Sequence, residues 1–211
     1  NKIHHVVPYS ISPNWNLISR TIVPIVSLSD LSPGSGTQQG FGNTIQSFFF
    51  SPKAPTAGGL IWGAGPVIQI PTSTDTTIAP YQWGGGLTAV GLKQDGPWTY
   101  GALANHIWSI GDSDEFGTSS DTFLQPFLVY TTPKATSIGL NLEATYDWEA
   151  DDWSVPINLT LGQVVKLGRQ PVQFTGGVRY WATSPRQPSN QCAVATPLRL
   201  PKHGLTSIGS T

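Results

Sequence analysis

The segment "ANHIWSIGD" gathers the residue types of a hydrolytic triad, since Asn105, His106, Ser109 and Asp112 lie within eight residues. In such a triad a histidine takes the proton of a serine hydroxyl, and a polar side chain orients the histidine. If the segment is a β-strand, however, His106 and Ser109 differ in parity and point to opposite faces. The sequence therefore favours a His106 that lies beside Trp108 near the end of a strand, and we predict no catalytic residue here.

Three carboxylates share one parity, at Glu143, Asp147 and Glu149. Paired carboxylates hydrolyse glycosidic bonds when they lie about 5 to 9.5 Å apart. Residues i and i+4 of a strand are separated by about 13 Å, which exceeds both glycosidase spacings. Since Arg179 alternates with apolar neighbours in the same way, we expect ion pairing among these side chains rather than catalysis.

The remaining candidates for a metal or cofactor site are weak. His4 and His5 are adjacent, so in a strand they face opposite sides and do not share a metal. Cys192 is the single cysteine, which excludes an internal disulfide and the motifs that need several cysteines. The glycine-rich segments "GAGPVIQ" and "WGGGLTAVG" are not followed by a helical pattern, so they do not predict a phosphate site. We predict no metal and no cofactor.

The elements that carry these residues are strands, and the segment 137–169 indicates this most clearly. Apolar residues occupy alternate positions from Ile138 to Trp148, and the alternation restarts after "EADD" at Trp153. A period of two is typical of a strand with two different faces. Two long strands are therefore predicted to meet at a tight turn.

Similar runs recur along the whole chain and are separated by Pro, Gly, Asn and Asp clusters. They predict about ten strands, most of them longer than the roughly 5–6 residues usual in soluble sheets. The predicted strands are 3–11, 14–27, 40–51, 59–71, 85–94, 97–110, 121–132, 136–149, 152–166 and 171–183. Strands of this length span a membrane when tilted, and the short and long connections alternate as in up-and-down outer-membrane barrels, apart from the hairpin at 149–152.

Composition agrees with a membrane setting. Charged residues are 11% of the 211 residues, against roughly 25% in soluble domains, which argues against a soluble lipocalin-like binder. Lys+Arg 11 nearly balances Asp+Glu 12, and no basic stripe is available to bind nucleic acid. No run of about 18 apolar residues predicts a transmembrane helix.

Tryptophan placement supports the same interpretation, because indoles prefer the membrane interface and barrels carry aromatic girdles. All eight tryptophans lie near predicted strand ends. The girdle is assigned to Trp15, Trp98, Trp108, Trp148, Trp153 and Trp181. The opposite parity predicts a polar lumen that contains Arg20, Asn141, Glu143, Asp147, Glu149 and Arg179. Because this predicted lumen contains three acidic residues and two arginines, we predict a passage that is weakly selective for cations.

Several blocks, among them "NWNLISRTIVPIV", "GPWTYGALANHIWSIGD" and "NLEATYDWEADDWSVPINLTLGQVVKLGRQPVQFTGGVRYW", resemble a family of bacterial outer-membrane β-barrel proteins. The family is labelled as transporters, is often mislabelled as neuromedin U, and is related to the phenol-degradation MetA-pathway barrels. The resemblance covers about residues 5–183 and carries no catalytic residues. It implies a location in the Gram-negative outer membrane and passive transport.

The ends of the chain depart from this resemblance. The family has sequence before the block that matches "HHVVPYSISPNWN", and the segment after "RYWATSP" has no sustained alternation and no aromatic residue. We therefore predict a barrel over 1–183, incomplete at both termini, and an atypical C-terminal tail over 184–211.

The sequence thus predicts an all-β chain that forms an antiparallel up-and-down transmembrane β-barrel of about 10–12 strands. Its predicted function is a passive transporter or channel for small solutes, with membrane lipid and a solute as its partners and with no enzymatic activity. Two alternatives stay open, an outer-membrane lipid-acting hydrolase based on "NHIWS" and a soluble lipocalin-like barrel.

Overall fold

The computed structural model describes residues 2–29, 37–76, 78–111, 118–167, 170–183, 192–193 and 198–199. The described residues form fourteen strands and no helix. The strands are β1 (Lys2–Ser10), β2 (Trp15–Ser29), β3 (Thr37–Phe41), β4 (Thr44–Pro52), β5 (Leu60–Ile70), β6 (Trp83–Asp95), β7 (Trp98–Ile110), β8 (Ser120–Thr131), β9 (Thr136–Leu142), β10 (Ala144–Asp147), β11 (Asp152–Leu167), β12 (Gln170–Thr183), β13 (Cys192–Ala193) and β14 (Leu198–Arg199).

The ten predicted strands are all present, and two of them are interrupted. The predicted strand 40–51 is divided into β3 and β4 at residues 42–43, and the predicted strand 136–149 is divided into β9 and β10 at Glu143. In both cases the backbone at the break stays bonded, since Gly42 N donates to Pro24 O and Glu143 N donates to Pro156 O, each at 2.9 Å. The interruptions are therefore local irregularities within long strands.

Hydrogen-bonded neighbours follow the order of the chain, which is the up-and-down arrangement. The order is β1-β2-β4-β5-β6-β7-β8-β10-β11-β12-β13, with β3 beside β2, β9 between β8 and β11, and β14 beside β12. The registers are antiparallel, as in the pairing of His5 with Thr21 and of Leu159 with Val178. Antiparallel neighbours in chain order need only hairpin connections.

By contacts the described chain divides into two compact units. Unit 1 comprises Asn1–Gly91, Leu103–Phe123 and Tyr146–Asp151, and unit 2 comprises Leu92–Ala102, Leu124–Thr145 and Asp152–Thr211. In unit 1 the buried side chains include Ser47 and Thr88 together with Phe49 and Val67. In unit 2 most of the buried side chains are polar, and they are Gln125, Asn141, Glu143 and Asn158.

The burial pattern is inverted with respect to a soluble protein, in which large apolar side chains lie inside and charged ones almost never do. In unit 2 the apolar residues on one face of β11 and β12 are the exposed ones, including Leu159, Leu161, Val178 and Tyr180 at 50–62%. The residues between them point the other way and are buried or half-buried. The parity predicted from sequence is thus the parity of the sheet, with two exceptions.

The exceptions are Ala144 and Val172, which were predicted on the apolar exposed face and are 4% and 7% exposed. Ala144 directly follows the interruption at Glu143, where strict alternation ends. Val172 lies between two strands, because it pairs with Val165 of β11 and with Arg199 of β14. Both exceptions therefore lie beside an irregular feature of the sheet, a strand break at Glu143 and an added strand at Val172.

Two glycines allow strands of unit 1 to approach closely. A Cβ atom at Gly86 would collide with the carbonyl oxygen of His106, and one at Gly65 would collide with that of Phe48. Both glycines belong to the segments "GAGPVIQ" and "WGGGLTAVG", which therefore serve close strand packing. Within the described residues no helix is long and apolar enough to cross a membrane.

The tail predicted over 184–211 lies outside the described residues, apart from β13 and β14. These two-residue strands pair with Gly177–Val178 and Val172–Gln173 of β12.

Candidate functional site

Three neighbouring strands of unit 2 bring polar side chains to one face of the sheet. Asn158 of β11 is paired with Asn141 of β9 on one side and with Arg179 of β12 on the other. Directly paired residues of antiparallel strands point to the same face, with their Cβ atoms about 4.5–5.5 Å apart. The registers alone therefore place the three side chains in one row across the sheet.

Side-chain hydrogen bonds join this row to two further residues. Asn158 Nδ2 donates to Asn141 Oδ1 at 2.6 Å, and Arg179 Nε donates to Asn158 Oδ1 at 2.6 Å. Arg179 Nη2 donates to Glu143 Oε2 at 3.0 Å. Gln125 Nε2 of β8 donates to Glu143 Oε1 at 3.5 Å. We call these five residues, Gln125, Asn141, Glu143, Asn158 and Arg179, the polar cluster.

Burial explains why the cluster is so fully bonded. The side chain of Glu143 is 6% exposed, and that of Arg179 is 29% exposed. A carboxylate removed from water is costly unless it is paired and hydrogen-bonded. Glu143 meets this requirement with a charge-assisted bond on one oxygen and an amide on the other.

The interruption of the strand at Glu143 coincides with a proline on the neighbouring strand. Its partner on β11 is Pro156, which has no N–H to donate to a neighbouring strand. The register between β11 and β12 also shifts between Val155 and Pro156. Pro156 therefore lies where β11 pairs irregularly with both of its neighbouring strands. Glu143 is the residue opposite Pro156 at this irregular position.

Trp181 lies beside Arg179 of the cluster. The guanidinium carbon of Arg179 is 5.9 Å from the centre of the Trp181 ring, within the range of a cation–π contact. Trp181 was predicted as a girdle residue, and the structure places it beside Arg179, two positions along the same strand and on the same face.

The other residues predicted for the lumen do not join this cluster. Asp147 and Glu149 lie at the hairpin between β10 and β11, where Asp147 Oδ1 accepts bonds from the backbone N–H groups of Glu149 and Ala150 at 2.9 and 3.0 Å. Arg20 lies on β2 of unit 1, paired with Ser47. Because Ser47 is 2% exposed, Arg20 belongs to the buried face of unit 1.

The predicted girdle residues other than Trp181 are exposed. Their exposed fractions are 38% for Trp15, 44% for Trp98, 49% for Trp108, 59% for Trp148 and 48% for Trp153. Several form aromatic pairs at strand ends, including Trp15 with Trp62 at 6.1 Å and Trp98 with Tyr130 at 4.8 Å between ring centres.

His106 lies beside Trp108, with 4.2 Å between the ring centres. Its Nδ1 is 2.7 Å from Thr122 Oγ1, and its Nε2 is 3.4 Å from Ser120 Oγ. The serine of the sequence motif, Ser109, instead accepts a bond from the backbone N–H of Ser119. Asp112 of that motif lies outside the described residues.

Sequence reasoning left Gln125 and Asn158 out of the site. Asn158 was placed on the polar parity of its strand but not assigned a role, and its register opposite Asn141 and Arg179 was the information that sequence lacked. Gln125 is the polar residue of the apolar run "FLQPFLVY", and a buried position for it could have been inferred from that isolation. Among the described residues no three His, Cys, Asp or Glu side chains lie close enough to hold a metal ion.

Neither a protein-family model nor a curated protein matches the sequence. Among solved structures the chain is similar to an outer membrane channel from Pseudomonas putida F1, with a TM-score of 0.63 and 18% identity, over 85% of this chain and 74% of that chain. The fold is that of an outer-membrane barrel. This likeness confirms the predicted fold class, an all-β antiparallel up-and-down transmembrane β-barrel.

Proposed function

We propose that the protein is an outer-membrane β-barrel that acts as a passive channel for small solutes. The observation that carries the proposal is the inverted burial of unit 2, in which Leu159 and Leu161 are exposed while Glu143 and Asn158 are buried. In a membrane barrel the apolar face contacts lipid and the interior is polar. The similarity in fold to an outer membrane channel supports the same interpretation.

The polar cluster then lies in the wall of the lumen. Its members are amides and one ion pair, and every side chain is bonded to a neighbour. Arg179 is the member of the cluster that is accessible enough to exchange hydrogen bonds with water and with a passing polar solute. With the number of strands expected here, side chains occupy much of the interior, so the passage is narrow.

We also propose that the protein is not an enzyme. The Nδ1 atom of His106 contacts the Thr122 hydroxyl rather than a carboxylate, and the hydroxyl of Thr122 also accepts from Trp148 Nε1 at 2.8 Å. These contacts fit an interface cluster around Trp108 and Trp148. The lipid-acting hydrolase is tested by assaying phospholipid ester cleavage with the Ser109→Ala and Ser120→Ala proteins beside the parent, since Ser109 is the serine of "NHIWS" and Ser120 is the serine near His106 Nε2. Turnover that depends on either serine would establish it.

The relation to the barrels mislabelled as neuromedin U and to the phenol-degradation barrels belongs to this proposal as well. It rests on the sequence blocks named above and adds a bacterial outer-membrane location and a transport role.

The experiment is purification from the membrane followed by reconstitution in planar bilayers. Extraction that requires detergent, together with gel mobility that changes on heating, is expected for a folded membrane barrel. Stepwise conductance in the folded sample is expected for a channel. A soluble protein would contradict the barrel, and a folded barrel without conductance would contradict the channel.

A further inference from the structure

The two charges of the polar cluster are unequally placed. Arg179 is 29% exposed at its side chain, and Glu143 is 6% exposed. Glu143 is bound at both carboxylate oxygens, and of the two charged side chains Arg179 is the more accessible. A solute that approaches this face therefore meets the positive end of the pair first.

The orientation of Arg179 is fixed by two directed bonds. Nε donates to Asn158 Oδ1 and Nη2 donates to Glu143 Oε2. Asn158 is itself oriented, because its amide nitrogen donates to Asn141 Oδ1 and leaves its oxygen for Arg179. A planar guanidinium held at two of its edges does not turn away from the surface without breaking both bonds.

The positions of Asp147 and Glu149 also change the balance of acidic and basic side chains in the polar cluster. The prediction of a cation-leaning passage rests on Glu143, Asp147 and Glu149 together. Asp147 and Glu149 lie at a hairpin, where Asp147 binds backbone N–H groups. Within the polar cluster one acid therefore stands against one arginine, and the arginine is the more exposed.

We propose that this surface of Arg179 is a contact site for small anions, inorganic anions and carboxylates, and that it biases the passage toward them. The inference rests on the proposed channel function and gives it a class of solute. A fixed guanidinium concentrates anions near it through its potential, and arginine side chains line pores that select anions. Trp181 covers one side of the guanidinium and leaves the solute to approach from another.

The test is the reversal potential in planar bilayers under a tenfold gradient of potassium chloride. The parent protein is expected to prefer chloride, and Arg179→Gln is expected to lower the ratio of chloride to potassium permeability by about twofold or more. Arg179→Lys keeps the charge and is expected to keep the preference. Lys134→Gln is the matched control, since it removes one positive charge from an exposed turn of the same unit and should leave the ratio unchanged.

Folding of each variant is checked by heat-dependent gel mobility. If Arg179→Gln does not fold, Glu143→Gln combined with Arg179→Gln removes both charges, and its ratio is expected to lie below that of Glu143→Gln alone, which keeps the guanidinium. A parent that prefers potassium, or a ratio that loss of the guanidinium lowers in neither comparison, would overturn the anion site and leave the channel intact. A folded parent without conductance would instead overturn the proposed function.

Discussion

The two faces of strand β11 have opposite patterns of burial. On one face Leu159 and Leu161 are 50% and 58% exposed, and on the other Asn158 is 6% exposed and bonded on both sides. In water this arrangement would leave apolar area unburied and would bury amides and a carboxylate. The comparison indicates that the leucine side chains of the exposed face are stabilised by an apolar medium around the protein and not by packing in a protein core.

A charge on the exposed face should have the largest effect. Leu159→Arg is expected to lower the free energy of folding into lipid vesicles by about 2–4 kcal/mol, because lipid does not solvate a guanidinium near the middle of a strand. Urea titration in vesicles measures this change. Leu159→Phe is the matched control and should stay close to the parent, whereas equal loss in both variants would point to packing rather than to lipid.

Removal of a charge from the buried face should have the next largest effect. Arg179→Met leaves the carboxylate of Glu143 without its cation, a change that costs about 3–5 kcal/mol in a fully buried pair. Because Arg179 is 29% exposed, water weakens the pair, and we expect about 2 kcal/mol. The same urea titration measures it.

Glu143→Gln combined with Arg179→Met should recover most of that loss, because it leaves no buried charge unpaired. If the double variant is as unstable as the single one, the ion pair is not what stabilises this part of the sheet.

The aromatic strand ends should give the smallest effect. Trp98 and Tyr130 form a tilted pair at 4.8 Å, and such a pair contributes about 0.5–1.5 kcal/mol beyond the burial of its area. A double-mutant cycle with Trp98→Leu and Tyr130→Leu should return a coupling energy in that range. A coupling near zero would mean that each ring contacts its surroundings independently.

The sequence predicted the strands and their faces well, because alternation is a local property. The ten predicted strands and the exposed positions of Leu159, Leu161 and Tyr180 follow from a period of two alone. The interruption at Glu143 was missed, because it coincides with Pro156 on a neighbouring strand and no local pattern marks it. Ala144, predicted on the exposed face, is buried beside the same interruption.

The polar cluster was only partly predictable. The alternation indicated that Asn141, Glu143 and Arg179 lie on the polar faces of their strands. It could not show that Asn158 pairs with both Asn141 and Arg179, because that pairing depends on the register of three strands. Asp147 and Glu149 have the same parity as Glu143 but lie at a hairpin. Alternation alone does not tell where a strand stops and its turn begins.

The central claim is that one face of β11 contacts lipid and the other face points to the interior, and its most direct test is a nitroxide scan along β11 in lipid vesicles. In a Cys192→Ser background, single cysteines at Leu159, Thr160, Leu161, Val164 and Val165 would be labelled, and collisions with oxygen and with a water-soluble nickel complex measured by paramagnetic resonance. Oxygen, which concentrates in lipid, should collide most often with labels at Leu159, Leu161 and Val165 and least often with those at Thr160 and Val164. Nickel collisions that are frequent at Leu159 and Leu161, or oxygen collisions without a period of two, would contradict the account.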